Sequence, residues 1–160
     1  MWSAALVKSL TNKSIIDIIK SHNGPCLLNE AGLEIKYEAL AKNIEIIGAQ
    51  LSSIDLKNNK ICALVLPNGM DMAMSFLALA NFLTVSPLNP NYTKEEFLFF
   101  LQDLDCEFII ADKNASNALI EAAEQLGIRL FYLNSDAPKN GLSIKSLPTS
   151  SECLLDQNKD

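Results

Sequence analysis

The sequence predicts an open, layered α/β fold in which helices flank a mostly parallel sheet, and three observations lead to it. Between residues 61 and 133, short apolar runs alternate with longer segments whose apolar residues recur at helical spacing. The run Ile61–Leu66 is apolar at nearly every position, which is typical of a strand covered on both faces. Regular strand–helix alternation favours parallel strands joined by right-handed crossovers.

A short helix and a hairpin come first in the predicted fold. Residues 14–21 place isoleucines on one face, and Ser14 with Asp17 forms a candidate capping box. Over residues 26–37, Asn29 and Gly32 bracket a turn between two short strands. An amphipathic helix that covers the sheet follows, over residues 38–53. Its apolar stripe recurs at steps of four and three residues: Leu40, Ile44, Ile47, Leu51 and Ile54.

The helix after the strand Ile61–Leu66 is apolar on two sides. The sequence Pro67-Asn68-Gly69 ends the strand, and the helix predicted over residues 70–83 carries one charge, Asp71. Such a helix is normally buried between two layers, and we expect its methionines to belong to the core. One predicted apolar face consists of Met70, Ala73, Leu77 and Ala80, and the other of Met72, Phe76, Leu79 and Phe82.

Strong helix signals mark the second half of the predicted sheet. Thr93 and Glu96 form a capping box, and Gly127 ends a later helix as a left-handed cap. The predicted domain spans residues 1–133, and residues 134–160 are predicted as a polar, flexible tail with at most a short strand near Leu142–Ile144. The elements predicted here are the strand Thr84–Leu88, a helix from Thr93, the strand Glu107–Ala111, a helix over residues 115–126 and the strand Ile128–Leu133.

Composition excludes several classes of partner. The 160 residues fit one domain, and the 49% hydrophobic content supports a packed core. The net charge of −6, with Arg129 as the only arginine, argues against nucleic acid. The longest apolar stretch, Met72–Val85, is shorter than the roughly 18 residues that span a bilayer, so no membrane partner is expected. The apolar stretch at the N-terminus is too short for a secretory signal, and we expect a cytoplasmic location.

The cysteines and the single histidine predict neither a metal site nor a disulfide framework. No C-x-x-C pair occurs, and His22 is the only histidine, so a zinc site is not expected. We expect reduced, structural cysteines, consistent with a cytosolic compartment. The four are Cys26, Cys62, Cys106 and Cys153.

Four stretches of the chain, together with residues 33–40, form a recognisable series. They are the Leu-Pro-Asn corner at Asn68, the helical Phe76-Leu77-Ala78, the corner Pro87-Leu88-Asn89-Pro90 with Tyr92-Thr93 and Glu95-Glu96, and the strand Phe108-Ile109-Ile110-Ala111. In this order they resemble the N-terminal portion of the adenylate-forming, or AMP-binding, acyl-CoA synthetases. The resemblance covers about residues 25–133, and its corner is most similar to oxalate–CoA and 4-coumarate–CoA ligase-like enzymes.

The resemblance implies a reaction and a set of cofactors for the complete family enzyme. A carboxylate is joined to AMP with release of pyrophosphate, and the acyl group then passes to coenzyme A, so ATP, Mg and CoA are implied. The family holds MgATP in a Ser/Thr/Gly-rich loop that ends in Pro-Lys. The nearest similar segments here, Ser143–Lys145 and Pro148–Ser151, lack the glycines of such a loop. We therefore expect no catalytic, cofactor-binding or metal residue in this chain.

Two functional hypotheses follow from this resemblance. In the first, the chain is an N-terminal fragment of a synthetase, inactive alone, whose partner is a missing C-terminal portion or a second copy. In the second, it is a non-catalytic binding or dimerisation module, or a degenerate remnant. Two departures from the family pattern are the Lys36 where a Thr or Ser cap is usual, and the absence of glycine from residues 81–84.

Four polar residues have a structural and a functional interpretation. Asn89 and Tyr92 could line a ligand crevice beyond the strand ends or form a corner that directs the next helix, and the corner is favoured. Glu96 is predicted to be a helix cap and not a general base. His22 lies near a helix end, where a cation would suit the helix dipole, and no catalytic role is expected for it.

Overall fold

The computed structural model describes residues 14–54, 56, 60–135 and 142–146, and these residues form one five-stranded sheet, a two-stranded hairpin and five helices. The elements in order are α1 (Ile15–Lys20), β1 (Pro25–Leu28), β2 (Glu34–Lys36), α2 (Tyr37–Ser53), β3 (Ile61–Val65), α3 (Met70–Leu79), β4 (Thr84–Pro87), α4 (Lys94–Asp103), β5 (Phe108–Asp112), α5 (Asn117–Leu126), β6 (Arg129–Ser135) and β7 (Leu142–Ser146).

The predicted open, mostly parallel sheet is confirmed. Its strand order is β4-β3-β5-β6-β7, and all neighbours pair in parallel except β6 and β7, which are antiparallel. Successive side chains of β3 point to opposite faces, so that Cys62 and Leu64 join one apolar core while Ala63 and Val65 join a second. Helices cover both faces, which is why the central strands contain so few polar residues.

The crossover helices divide between the two faces of the sheet. Helices α2 and α3 pack on the face that carries Leu64, through residues such as Ile44 and Met74. Helices α4 and α5 pack on the other face, through residues such as Phe97 and Leu119. The chain thus leaves β3 towards one face and leaves its neighbours β4 and β5 towards the other.

The N-terminal elements form as the sequence predicts. At α1 the Asp17 amide donates to the Ser14 hydroxyl at 3.3 Å, and the Ser14 amide donates to the Asp17 carboxylate at 3.0 Å, which completes the capping box. The hairpin turn is closed by the Leu33 amide, which donates to the Asn29 side chain at 2.8 Å. Lys36 is the N-cap residue of α2, and its side chain makes no capping hydrogen bond, as expected.

Helix α3 differs from its prediction in length and in its buried face. It ends at Leu79, because the Asn81 amide nitrogen donates to the Leu77 carbonyl at 2.7 Å and competes with a further helical turn. The Asn81 oxygen also accepts from the Ile16 amide at 3.0 Å, which ties α1 to this end. The fully buried stripe coincides with neither predicted face and shares only Leu79 with the second of them. That stripe consists of Met74, Ser75, Ala78 and Leu79.

The expected burial of the three methionines on α3 holds in full only for Met74. Met74 is 1% exposed, whereas Met70 and Met72 are only half-buried. The outward side of α3, which was predicted to be buried as well, is therefore incompletely covered.

Strand β7 lies within the predicted polar tail and is longer than the short strand expected near Leu142. It pairs with β6 over five residues, and side chains of α2 hold it from the other side. The Leu142 amide donates to the Asn43 side chain at 2.8 Å, and the Ile144 amide donates to Gln50 at 3.0 Å. Residues 136–141 and 147–160, the greater part of the predicted tail, lie outside the described residues.

Candidate functional site

A crevice opens at the carboxyl edge of the parallel strands. Because the chain leaves β3 towards one face and leaves β4 and β5 towards the other, the loops separate at this edge, which is where open α/β sheets bind ligands. Two adjoining cavities, of about 430 Å³ and 710 Å³, occupy the gap. They share four lining residues: Leu66, Pro67, Asn68 and Asp112.

The polar side chains at this edge mostly stabilise their own loops. The Asn91 amide donates to the Asn89 side chain at 3.0 Å, and the Asn114 amide donates to Asp112 at 2.7 Å. These are Asx turns, in which the side chain mimics a backbone turn. Ser116 caps α5 in the same way, since its hydroxyl accepts from the Leu119 amide at 3.3 Å.

The charge of the described lining is slightly negative. Asp71 and Asp112 contribute two carboxylates, and Lys113 contributes one ammonium group. Lys113 and Asp71 are both exposed, so water screens both of these charges, whereas the carboxylate of Asp112 is half-buried. The crevice as these residues form it therefore does not attract an anion.

Helix α3 begins at this crevice with an unusual backbone conformation. Gly69 is its N-cap with φ +154°, and no side chain caps the helix there. A Cβ on Gly69 would meet no atom within 4 Å, so glycine is needed for its backbone freedom and not for space. The first turn carries Asp71, which already places a negative charge where the helix dipole favours one.

Asn89 and Tyr92, the two candidate crevice residues, have different positions in the structure. Asn89 lines the larger cavity and also forms the Asx turn of the corner, so both interpretations describe it. Tyr92 belongs to the corner, because its ring stacks on Phe100 at 5.0 Å between centroids and meets Phe97 edge-on at 5.7 Å. Sequence reasoning missed Asp112, Asn114 and Ser116. Their signal was their position directly after a predicted parallel strand.

Glu96 acts as a cap, as predicted. The Thr93 amide donates to the Glu96 carboxylate at 2.8 Å, and the Glu96 amide donates to the Thr93 hydroxyl at 3.2 Å. His22 lies just beyond the end of α1, with Nδ1 at 2.8 Å from the Ile18 carbonyl and its ring 5.2 Å from that of Tyr37.

The cysteines of the described chain behave as structural residues. Cys26, Cys62 and Cys106 are free thiols, and Cys153 lies outside the described residues. Burial raises the pKa of all three thiols, and the neighbouring Cys106 raises the pKa of Cys62 further. A thiol with a raised pKa is protonated at neutral pH, so none of the three offers a thiolate nucleophile.

Neither a metal cluster nor a membrane span emerges from the part of the chain that the structure describes. No three His, Cys, Asp or Glu side chains of these residues converge as a metal site would require. None of their helices has the length and apolar character needed to cross a membrane.

The chain matches known proteins over most of its length. The model of the AMP-binding enzyme family matches residues 20–157. An oxalate–CoA ligase from Arabidopsis thaliana is 35% identical over 79 residues, which are 49% of this chain and 15% of that protein. The probable CoA ligase CCL9 from Humulus lupulus is 27% identical over 132 residues, which are 81% of this chain and 25% of that protein.

A solved structure confirms the fold. Apo MatB from Rhodopseudomonas palustris superposes with a TM-score of 0.64 at 18% identity, over 75% of this chain and 25% of that protein. The chain therefore spans a quarter or less of the length of each of these three proteins.

Proposed function

Since the chain belongs to the AMP-binding enzyme family, we propose that it is the N-terminal scaffold of an ATP-dependent acyl-CoA synthetase and is inactive by itself. The names of the two curated relatives, both CoA ligases, support this reaction class. In the complete enzyme a carboxylate would be adenylated with release of pyrophosphate, and the acyl group would then be transferred to the thiol of coenzyme A. The scaffold would position this site without supplying its reacting groups.

The slightly negative charge of the crevice is the main observation that supports the proposed inactivity. Activation of a carboxylate by ATP requires cations and backbone N–H groups that neutralise the charge developing on the phosphates. Here the described lining offers two carboxylates against one exposed lysine. The Asn91 and Asn114 amides, which could have faced an anion, already donate to side chains. The described residues thus do not fit MgATP, and we assign them no step of the reaction.

A second candidate function, a binding or dimerisation module, is favoured by exposed apolar side chains. Phe99 on α4 is 62% exposed and Leu28 at the end of β1 is 68% exposed. Large exposed apolar groups are typical of surfaces that another protein covers. The two residues lie on different elements, so a single partner would have to cover them separately.

Pyrophosphate–ATP exchange tests the proposed function. The purified chain, incubated with MgATP and a panel of acids that includes oxalate and 4-coumarate, should give only background exchange. The full-length oxalate–CoA ligase of Arabidopsis thaliana serves as the positive control. Acid-dependent exchange by the purified chain alone would overturn the proposed inactivity.

A co-expression assay tests the scaffold role itself. The chain would be co-expressed with the Arabidopsis thaliana ligase from which the matching N-terminal part has been removed. Restored acid-dependent exchange supports the scaffold role, and a co-purified but inactive assembly contradicts it.

A further inference from the structure

We propose that the outer face of α3, with the groove beside it, is the interface onto which the remainder of an AMP-binding domain packs. This inference rests on the proposed scaffold function and names the surface that it requires. The outer face consists of Met70, Ala73, Phe76 and Leu77 of α3 and the C-cap residue Ala80, and Met70 and Leu77 also pack in part against the core beneath the helix.

The chemistry of this face differs from that of an ordinary exposed helix. Asp71 is the only charged residue of α3, and Phe76 is 38% exposed, while the other four residues of the outer face are half-buried. An exposed surface helix normally carries charged or polar residues on the side away from the core. The missing charges indicate a face that another polypeptide covers.

A groove extends the outer face towards the hairpin. It has a volume of about 600 Å³ and lies between the β1–β2 turn and the first turns of α3. Its lining includes Leu27, Leu28, Met70 and Ala73, and Leu28 is 68% exposed at its rim. The lining also includes Asn29, Glu30 and Asn68, so the outer face of α3 continues into a groove that is apolar in part. Exposed apolar groups that lie together in this way mark interaction sites.

Two features identify the occupant as the remainder of the family domain. The groove and the crevice share Asn68, Gly69 and Met70. A polypeptide bound in the groove would therefore also form part of the wall of the crevice. The relatives are roughly three times as long as this chain, since 79 aligned residues make up 15% of one and 132 aligned residues make up 25% of the other. A mostly apolar contact with few charges is typical of a permanent interface and not of a transient encounter.

A second copy of this chain fits the surface less well. A two-fold dimer needs a patch that is complementary to itself. Among the described residues the most exposed phenylalanine is Phe99, which lies on α4 on the opposite face of the sheet, so it cannot join the outer face of α3.

The experiment is capture of the truncated Arabidopsis thaliana ligase by the full 160-residue chain, with Phe76→Glu as the disruptive variant. Phe99→Glu is the matched control, because it places the same charge on the other face. We expect the wild-type chain and Phe99→Glu to capture the truncated ligase, and Phe76→Glu to capture it about tenfold more weakly, because the carboxylate would be buried without a partner. Equal capture by all three, or none by the wild type, would overturn the proposal.

Hydrophobic-dye fluorescence of the isolated chain gives a second readout that does not depend on the ligase. Phe76→Glu should reduce dye binding, Phe99→Glu should reduce it less, and both variants should unfold at the wild-type temperature. A dimer that Phe76→Glu dissociates would assign the face to a second copy. If deletion of residues 1–13 increases dye binding, the outer face of α3 is covered by that segment of the chain. Either of these two results, a dimer or a covering segment, would overturn the proposal.

The outcome separates this inference from the proposed function. If Phe76→Glu weakens capture but the assembly shows no exchange activity, the interface is supported and the scaffold role is contradicted. If exchange activity is restored and Phe76→Glu does not change it, the scaffold role is supported and the interface is contradicted.

Discussion

Helices α2 and α3 lie on the same face of the sheet, yet their buried polar side chains differ in hydrogen bonding. In α2 the buried Asn43 is fully bonded, since its Nδ2 donates to the Ala39 carbonyl at 3.0 Å and its Oδ1 accepts from the Leu142 amide at 2.8 Å. In α3 the buried Ser75 hydroxyl has no hydrogen-bond partner among the described residues. Buried polar groups without partners are rare and costly, so α2 has the better satisfied interior.

The outward sides of the two helices differ as well. α2 exposes Glu38, Lys42 and Glu45, and the last of these pairs with Lys20 at 2.6 Å. α3 turns apolar side chains outward instead. The outward side of α2 is thus typical of a helix that faces water, whereas the outward side of α3 is mostly apolar, as the proposed interface requires.

Of the substitutions that test this comparison, the removal of the Asn43 side chain should change the stability of the chain most. Asn43→Ala leaves the buried Leu142 amide without an acceptor, and we expect a loss of about 2 kcal/mol in the free energy of unfolding, measured by urea denaturation. Gln50→Ala is the matched control. It should cost less, because the Ile144 amide that it bonds is only partly buried and can turn to water. Equal losses would contradict the view that the buried bond to Asn43 holds β7 more strongly than the partly buried bond to Gln50.

A methyl group at Gly48 tests the contact between α2 and the segment after α3. A Cβ there would lie 2.5 Å from Cζ of Phe82, so the ring or the helix must move. Overpacking costs about 1–3 kcal/mol and alanine regains about 1 kcal/mol of helix propensity, so Gly48→Ala should destabilise the chain by up to about 2 kcal/mol.

The double variant Gly48→Ala/Phe82→Leu distinguishes this clash from a general effect on the helix. The smaller side chain makes room for the methyl group, so the double variant should be more stable than the sum of the two single changes predicts. If the stability changes of the two single variants simply add up in the double variant, the methyl group at residue 48 and the Phe82 ring do not clash.

Removal of the Ser75 hydroxyl should act in the opposite direction to the change at Asn43. Because Ser75 has no hydrogen-bond partner in the described structure, Ser75→Ala removes a buried group that lost its water, and we expect a gain of about 1 kcal/mol in the free energy of unfolding. Ser52→Ala on α2 is the control. Its hydroxyl donates to the Gly48 carbonyl at 3.0 Å near the surface, so its removal should change stability by less than about 0.5 kcal/mol. A loss of stability in Ser75→Ala would mean that the hydroxyl does have a partner in solution.

The sequence predicted those elements whose signals are local. The capping boxes at Ser14 and Thr93 and the left-handed Gly127, with φ +68°, all appear where the pattern places them. The buried face of α3 was mispredicted, because a helix with a single charge has no polar stripe to indicate which side faces water. The full extent of β7 was missed because its amides bond to Asn43 and Gln50, which lie 94 or more residues earlier.

The candidate site was harder to predict than the fold. Asn89 could be named from its corner, but Asp112 and Asn114 become crevice residues only once β3 lies between β4 and β5. That strand order is set by packing across the whole sheet, and no short stretch of sequence encodes it.

Calorimetric titration of the isolated chain with MgATP tests the central claim, that this scaffold has no anion cradle of its own. With two carboxylates and one exposed lysine in the described lining, we expect no saturable heat at millimolar nucleotide and no rise in unfolding temperature. A site with a Kd near 10 μM would instead stabilise the chain by about 2.7 kcal/mol at a hundredfold excess of ligand over Kd. Saturable binding with such a gain in stability would contradict the account.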